Sequence, residues 1–324
     1  MVLISVRGSS TRDKQSFLLW WVHGLYQTRP FGIFGTELFR SSNSVVDYPG
    51  RQYNMLNVNR LLQRYRYSLI LLRELVITDF KLRYQSSFLG YLWSLLKPLA
   101  LFVILDFVFS RLGGASDIPH FKVYLFLGIL LWNYFAEVTN NGVSSVVGKG
   151  DLLRKINFPK YVIVLSGSFS ALINLAINLV VLFGFMIFLG ADPQVSAIWA
   201  VPLLILELFI LALGVAFGLS ALFVKFRDVN YIWEVFMQGA FYGTPILYAL
   251  SLMSPKVQQI LMLNPMAQII QDMRNQLVTA KAPTIADVYH NGWMRVVVVL
   301  FVLLIAAAAA WYFRKRSRYF AEEI

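Results

Sequence analysis

Residues 161–190 read YVIVLSGSFSALINLAINLVVLFGFMIFLG, thirty positions without one charged side chain, held between Lys160 and Asp192. A helix crossing the hydrocarbon core of a bilayer needs about 20 predominantly apolar residues. This stretch is therefore long enough to cross with tilt or to project beyond the membrane. Five more stretches share its character, at 91–112, 123–147, 197–224, 229–250 and 294–313. The span over 123–147 is the least uniform, because its second half carries Glu137, Asn140 and Asn141. The reading is an all-α integral membrane protein with six transmembrane helices.

Composition points the same way. Of 324 residues, 58% are hydrophobic and 14% charged, with a mean hydropathy of +0.61. A soluble domain carries about a quarter charged residues. The chain has no Cys, which removes disulfides, thiolate metal sites and cysteine nucleophiles together. His23, His120 and His290 lie far apart in sequence, so no metal site is expected. The net charge of +12 sits in short basic blocks between apolar runs. That is the pattern of membrane topology and not of a groove for nucleic acid. Residues 17–26 are apolar and aromatic but too short for a signal peptide, and no small-residue cleavage site follows them.

Flanking charges set the orientation. Arg60, Arg64, Arg66, Arg73, Lys81 and Arg83 precede the first span, and Lys149, Arg154, Lys155 and Lys160 lie between the second and third. Lys225 and Arg227 separate the fourth from the fifth, and Arg314, Lys315, Arg316 and Arg318 follow the sixth. The alternate connections are poorer in charge: Asp192 stands alone, and Arg111 and Lys122 bracket the first outer loop. The positive-inside rule then places both termini in the cytoplasm.

Ahead of the first span, Leu69, Leu72, Val76, Phe80 and Tyr84 recur at helical spacing, while Glu74, Thr78, Lys81 and Gln85 mark another face. Asp79 and Arg83 form an i,i+4 pair. An amphipathic helix of this kind beside a span is expected in the cytoplasmic interface, with a solvated linker helix as the alternative. Three regions result: a poorly ordered extension over 1–54, an interfacial helix over 55–90 and a transmembrane domain over 91–320. Met55 is the expected natural start of translation.

Between the fifth and sixth spans, 253–263 and 266–278 are semi-apolar and interrupted by Pro255 and Asn264-Pro265. Each is too short to cross. They read as re-entrant half-helices covered by protein or lining a cavity, or else as a pair lying on the surface.

No catalytic constellation emerges. Gly142-Val-Ser-Ser-Val-Val-Gly148-Lys149-Gly150 has five residues between the first two glycines, not four, and Gly follows the Lys. It is therefore not a phosphate-binding P-loop. There is no G-x-S-x-G and no H-E-x-x-H, and the cytoplasmic connections are too short and basic for a glycosyltransferase site.

A series of local patterns carries a resemblance. It begins with Arg73-Glu-Leu-Val-Ile-Thr-Asp79-Phe-Lys81-Leu-Arg83-Tyr84 and Ser87-Phe-Leu-Gly90-Tyr-Leu-Trp93-Ser-Leu-Leu-Lys-Pro98. Leu153-Arg-Lys-Ile-Asn-Phe-Pro159, Phe226-Arg227-Asp228-Val229, Thr244-Pro245-Ile246-Leu247-Tyr248 and Leu263-Asn264-Pro265-Met266 come after them in order. Over about 69–319 the chain resembles the permeases of polysaccharide ABC exporters, the membrane subunits that move O-antigen, capsule or teichoic acid, with the type-2 ABC exporter fold.

The resemblance implies a homodimer working with two copies of a separate subunit that binds ATP and Mg, so this chain itself is expected to hold no cofactor and to be no enzyme. It also implies a gate helix before the first span, re-entrant helices before the sixth, and a lipid-linked glycan on polyprenyl pyrophosphate as substrate in the bacterial inner membrane. Coupling to the ATPase would fall to Leu152, Leu153, Arg154, Lys155, Ile156 and Phe158, with Arg227 and Asp228 as a second contact. In such permeases spans one, two and five border the pathway, which gives Trp93, Phe102, Trp132, Tyr134, Phe241 and Tyr242 as lining candidates. Sugars present C–H faces that pack on aromatic rings without a fixed hydrogen-bond pattern, as a sliding polymer requires. Asp106, Glu137 and Glu207 inside spans either meet substrate hydroxyls or are paired structural groups. Asn174 and Asn178 suit helix–helix hydrogen bonding. Arg73, Lys81 and Arg83 suit the lipid pyrophosphate or anionic lipid equally. Two other functions stay open: efflux of drugs or small lipids, and a membrane enzyme or scaffold that works without ATP.

Overall fold

The structure, a computed structural model, describes residues 52–84, 90, 92–111, 119–156, 158–191 and 193–323. The expected extension lies outside these except for its last three residues. Chain contacts divide the molecule into residues 1–57 and 58–324. In the first unit the described residues, from Gln52 on, begin a long helix, α1 (Gln52–Tyr84).

In the second unit the described residues form α2 (Leu92–Arg111), α3 (Phe121–Gly148), α4 (Gly150–Lys155), α5 (Tyr161–Leu189) and α6 (Ala197–Lys225). After these come α7 (Val229–Gly243), α8 (Pro255–Met262), α9 (Pro265–Leu277), α10 (Ile285–Tyr289), α11 (Trp293–Arg316) and α12 (Phe320–Glu323). Among the described residues four helices are long and apolar enough to cross a membrane: α3, α5, α6 and α11. At 1.5 Å per residue the 28 residues of α3 reach about 42 Å. On α5, α6 and α11 much of the apolar surface faces outward, as with Val180, Ile187, Phe188, Trp199 and Leu304. Such a surface suits lipid and not water.

The centre belongs to α3. It packs on α2, α5, α6, α7 and α9, and most of its side chains from Phe121 to Val138 are buried. Small residues let the helices approach closely. A Cβ added at Gly142 would stand 2.6 Å from the Ala216 Cβ on α6, and one at Gly214 would stand 2.8 Å from the Ala306 Cα on α11.

The expected fifth span is helical for only 15 residues. It ends at Gly243 because Pro245 holds Thr244 in an extended conformation, φ −100°, ψ 137°. The chain then runs through a 3-10 turn (Leu250–Leu252) into α8 and α9, whose junction at Asn264 returns to the point where α7 stopped. There Asn264 Nδ2 donates to Thr244 Oγ1 (3.2 Å), and Asn264 Oδ1 accepts from the Met266 N–H to cap α9. Thr-Pro and Asn-Pro, separate in sequence, thus meet.

Breaking α7 leaves carbonyls with no helical donor, and Arg274 supplies donors to two carbonyls just beyond its end. Fully buried on α9, Arg274 donates from Nη1 to the Pro245 carbonyl (2.6 Å) and from Nη2 to that of Ile246 (2.7 Å). Its Nε donates to the Tyr124 carbonyl (3.0 Å), and its guanidinium lies 3.6 Å from the centre of the Tyr124 ring. Gly128 makes room: a Cβ there would stand 2.5 Å from Arg274 Nη2. A planar fork of five donors can serve three carbonyls at once, whereas a lysine ammonium cannot do so in this geometry.

Close by, Asp272 on α9 pairs with Arg295 (3.6 Å) and accepts from Gln268 (2.8 Å). Gln268 also lies within hydrogen-bonding reach of Glu207 on α6. The turn between α5 and α6 closes on the far end of α9, where the Gln194 N–H donates to the Gln276 carbonyl (2.9 Å).

At the opposite, basic end, Asp79 of α1 accepts two hydrogen bonds from Lys149 Nζ (2.8 and 2.9 Å) and one from Ser166 (3.2 Å). This fixes the rotation of α1. The face turned to the core carries Ser68, Leu71, Leu72 and Leu75, and Leu69 points outward with Ile70 and Leu82. Of the residues that recur at helical spacing, Leu72 thus meets the core while Leu69 points away from it. The side chain of Arg83 lies outside the described residues. Residues 142–148 form the last two turns of α3, and Lys149 leads directly into α4, so no loop is present there to cradle a phosphate.

Arg274→Met removes donors from three buried carbonyls, and each unsatisfied group costs about 1–3 kcal/mol. The purified variant is expected to melt at a clearly lower temperature in detergent; an unchanged melting temperature would mean that the carbonyls are satisfied in another way. Gly214→Ala, facing backbone, should cost about 1–3 kcal/mol. Gly218→Ala meets only the Ala309 Cβ at 3.7 Å and should be near neutral, so the pair of melting temperatures checks the α6–α11 contact.

Candidate functional site

Two cavities flank the polar half of α3. The first, of about 570 Å³, lies between α2, α3 and α5. Trp93 and Lys97 come from α2, Tyr134 and Glu137 from α3, Asn174 and Asn178 from α5. Asn174 Nδ2 donates to Glu137 Oε2 (2.9 Å), and Asn178 Nδ2 donates to the Asn174 carbonyl (2.8 Å) and, at 3.4 Å, to that of Ser94. The two asparagines therefore join three helices, as their one-turn spacing suggests.

The second cavity, of about 530 Å³, lies between α3 and α7. Trp132, Phe241 and Tyr242 line it with Asn230, Glu234 and Gln238. The Trp132 and Phe241 rings meet edge to face at 5.7 Å. Asn140 borders both cavities, so one helix presents polar groups to two spaces. The remaining face of α7, with Tyr231, Ile232, Val235 and Phe236, is exposed.

Of the pathway candidates, Trp93, Tyr134 and Glu137 gather at the first cavity, and Trp132, Phe241 and Tyr242 at the second. Two others do not belong with them. Phe102 is buried against Phe126 (5.1 Å) and Phe185 (6.0 Å) and is a packing residue. Asp106 pairs with Lys122 at 3.3 Å, away from the lining of either cavity. Glu207 likewise lines neither; it is a structural member of the buried cluster with Gln268 and Asp272.

The basic end carries the coupling candidates. On α4 and the stretch of chain after it, Arg154, Lys155 and Ile156 are exposed, while Leu153 and Phe158 are buried in the chain's own core and Leu152 is half-buried. Leu153 and Phe158 thus hold α4 in place and leave Arg154, Lys155 and Ile156 facing outward. Arg227 and Asp228 are exposed in the tight turn between α6 and α7, with Arg227 over the Phe223 ring (5.2 Å). Arg73 and Lys81 are exposed on α1.

Sequence reading missed two features. One is the Arg274 clamp; a lone arginine inside the second of the two semi-apolar runs was its signal. The other is a C-terminal hook. Phe320 is fully buried against Phe313 (5.3 Å), Lys160 Nζ donates to the Ser317 carbonyl, and α12 packs on α4 and α6. Burial holds the Lys160 ammonium below the ordinary lysine range, with Glu322 opposing the shift. Among the described residues no cluster of His, Asp or Glu could hold a metal ion.

Comparison with known proteins agrees with this architecture. The chain is 33% identical over 214 residues to the O-antigen export system permease protein RfbA of Klebsiella pneumoniae, covering 65% of this chain and 82% of that protein. The protein of the same name from Myxococcus xanthus is 33% identical over 224 residues, covering 67% of this chain and 82% of its own length. Residues 70–278, from α1 to the end of the clamp helix α9, match the ABC-2 type transporter family along its membrane domain. Matched over most of its length, the chain belongs to the ABC-2 type transporter family.

Proposed function

We propose that this chain is the membrane half of an ATP-driven exporter that carries a polyprenyl-pyrophosphate-linked polysaccharide, of the O-antigen kind, out of the cytoplasm across the bacterial inner membrane. The observation that carries the reading is the pair of aromatic- and amide-lined cavities on either side of α3, in a chain whose relatives are named O-antigen export permeases. Aromatic rings let the apolar faces of successive sugars slide, and amides meet their hydroxyls without committing to one repeat unit.

The other parts fit the same reading. The basic end, with α1, α4 and α12, faces the cytoplasm. In this arrangement α2 and α7 complete six membrane elements, and α8 and α9 dip back toward the end of α7 as a re-entrant pair shielded by α3, α6 and α11. Two copies of the chain meet along the exposed face of α7, so that the α3–α7 cavities border a shared passage. A separate subunit binds ATP and Mg and docks on Arg154, Lys155 and Ile156, with the Arg227–Asp228 turn beside them. Arg73 and Lys81 on α1 draw the lipid pyrophosphate toward that end.

The double substitution Arg154→Ala/Ile156→Ala tests the docking assignment. In liposomes holding the chain and its ATP-binding subunit, glycan-coupled ATPase activity is expected to fall by about tenfold or more, the scale of a broken coupling between sites, while the subunits still copurify. Full coupled activity in the variant would place the docking surface elsewhere.

A further inference from the structure

The helix assigned to docking, α4, is too short to hold itself. It has six residues, and helices shorter than about 12–15 residues are marginal on their own. Within it only Gly150 and Leu153 are buried, and at Ile156 the chain is already extended, with φ −131° and ψ 131°. Leu153 and Phe158 anchor one side of this segment in the core. A second support comes from the far end of the chain.

α11 runs for 24 residues to Arg316, and Ser317 is its C-cap. The last carbonyls of a helix lack helical donors and carry the negative end of its dipole. Lys160 meets that end. Its Nζ donates to the Ser317 carbonyl and stands 5.8 Å from the centre of the Phe320 ring, within reach of a cation–π contact. Lys160 is also the N-cap of α5, so one ammonium joins the segment that carries α4, the start of α5 and the end of α11. Beyond Ser317 the chain turns back on itself. The Glu322 and Glu323 N–H groups both donate to the Tyr319 carbonyl (3.0 and 3.1 Å), and Arg316 pairs with Glu323 at 3.8 Å. This turn carries Phe320 into the core, fully buried and edge to face with Phe313, whose ring lies 4.9 Å from that of Phe217 on α6. α12 thereby packs on both α4 and α6.

We propose that this hook is a positioning device for α4, with Lys160 and Phe320 as its two positioning residues. The inference rests on the exporter reading and adds to it a second support for the docking helix, supplied by α11. Neither residue lines a cavity, and each acts on the ATP-binding subunit only through the pose of α4. A push on α4 then carries the end of α11 with it, instead of being taken up by the extended chain at Ile156.

Lys160→Met removes the cation, Lys160→Arg keeps it, and Phe320→Ala empties the buried site. Hydrogen exchange is measured first, on the purified full chain. In Lys160→Met and Phe320→Ala the backbone amides of α4 are expected to exchange about tenfold faster than in the unsubstituted chain. Those of 124–131, in the buried part of α3, should stay as they were, and Lys160→Arg should match the unsubstituted chain. The complex with the ATP-binding subunit is then assayed in liposomes with lipid-linked glycan extracted from the native membrane. Stimulation of ATP hydrolysis by the glycan is expected to fall by about fivefold or more in Lys160→Met. Basal hydrolysis, KM for ATP and copurification of the subunits should not change. Unchanged exchange at α4 in both variants would overturn the proposal. So would faster exchange that spreads equally to α3, or faster exchange at α4 with full glycan stimulation, because either result makes the hook a support of stability alone. A complex of the unsubstituted chain that hydrolyses ATP without responding to glycan would defeat the exporter reading instead. The exchange measurement, made on the chain alone, still decides whether the hook holds α4.

Discussion

A backbone polar group inside a bilayer has no water to turn to, and the rest of this fold depends on how that demand is met where α7 breaks. Five of the six long helices described from α2 to α11 run unbroken for at least 20 residues, with single gaps in the ladder at Pro98 of α2 and Pro202 of α6. The exception, α7, stops after 15 residues at a Thr-Pro step and leaves carbonyls in the protein interior. Arg274 answers two of these and a third from Tyr124, and so ties α9 to both α7 and α3. Without a donor of that shape the segment between α7 and α11 would have to leave the membrane domain. With it, a short helical pair can be packed among long helices, and the buried cluster of Glu207, Gln268 and Asp272 secures its other side.

This arrangement leaves α3 free to serve as a partition. Its first half is enclosed by α5, α6 and α9, while its polar second half meets α2 and α5 on one side and α7 on the other. α7 is fixed at its far end through Thr244 and Asn264, and the space between it and α3 is lined along α7 from Asn230 to Tyr242. The basic end holds the anchor between Asp79 and Lys149 and the hook of α12 on α4. Movement imposed on α4 therefore has two solid paths into the membrane domain, through α3 and through Phe320 to α11. The charges on α4 that face outward are those which do not help to pack it.

Much of this was legible in the sequence. Long apolar runs gave α5 and α6 almost to the residue and α11 to within three, because hydrophobic length alone decides a span. Asn174 and Asn178 were readable as interhelical bridges from their spacing. The amphipathic helix before the first span was also visible, but its rotation was not, because Asp79 binds Lys149, seventy positions away. The length of α7 was misjudged because Thr244 and Pro245 sit inside a continuous apolar run, and hydropathy does not register a backbone break. Phe102 and Trp132 look alike in sequence, yet one packs among phenylalanines and the other borders a cavity; only the neighbours distinguish them. Arg274 could not be interpreted at all without knowing which carbonyls it faces.

The central claim is that this chain passes a lipid-linked glycan across the membrane when a partner hydrolyses ATP. The most direct measurement uses sealed liposomes that contain the chain and its ATP-binding subunit, with radiolabelled lipid-linked glycan outside on the ATP side. The account predicts that ATP with Mg moves the glycan to the interior, where an added external glycosidase no longer reaches it, and that neither subunit alone does so. Glycan that stays outside despite ATP hydrolysis, or that crosses with this chain alone, would contradict it.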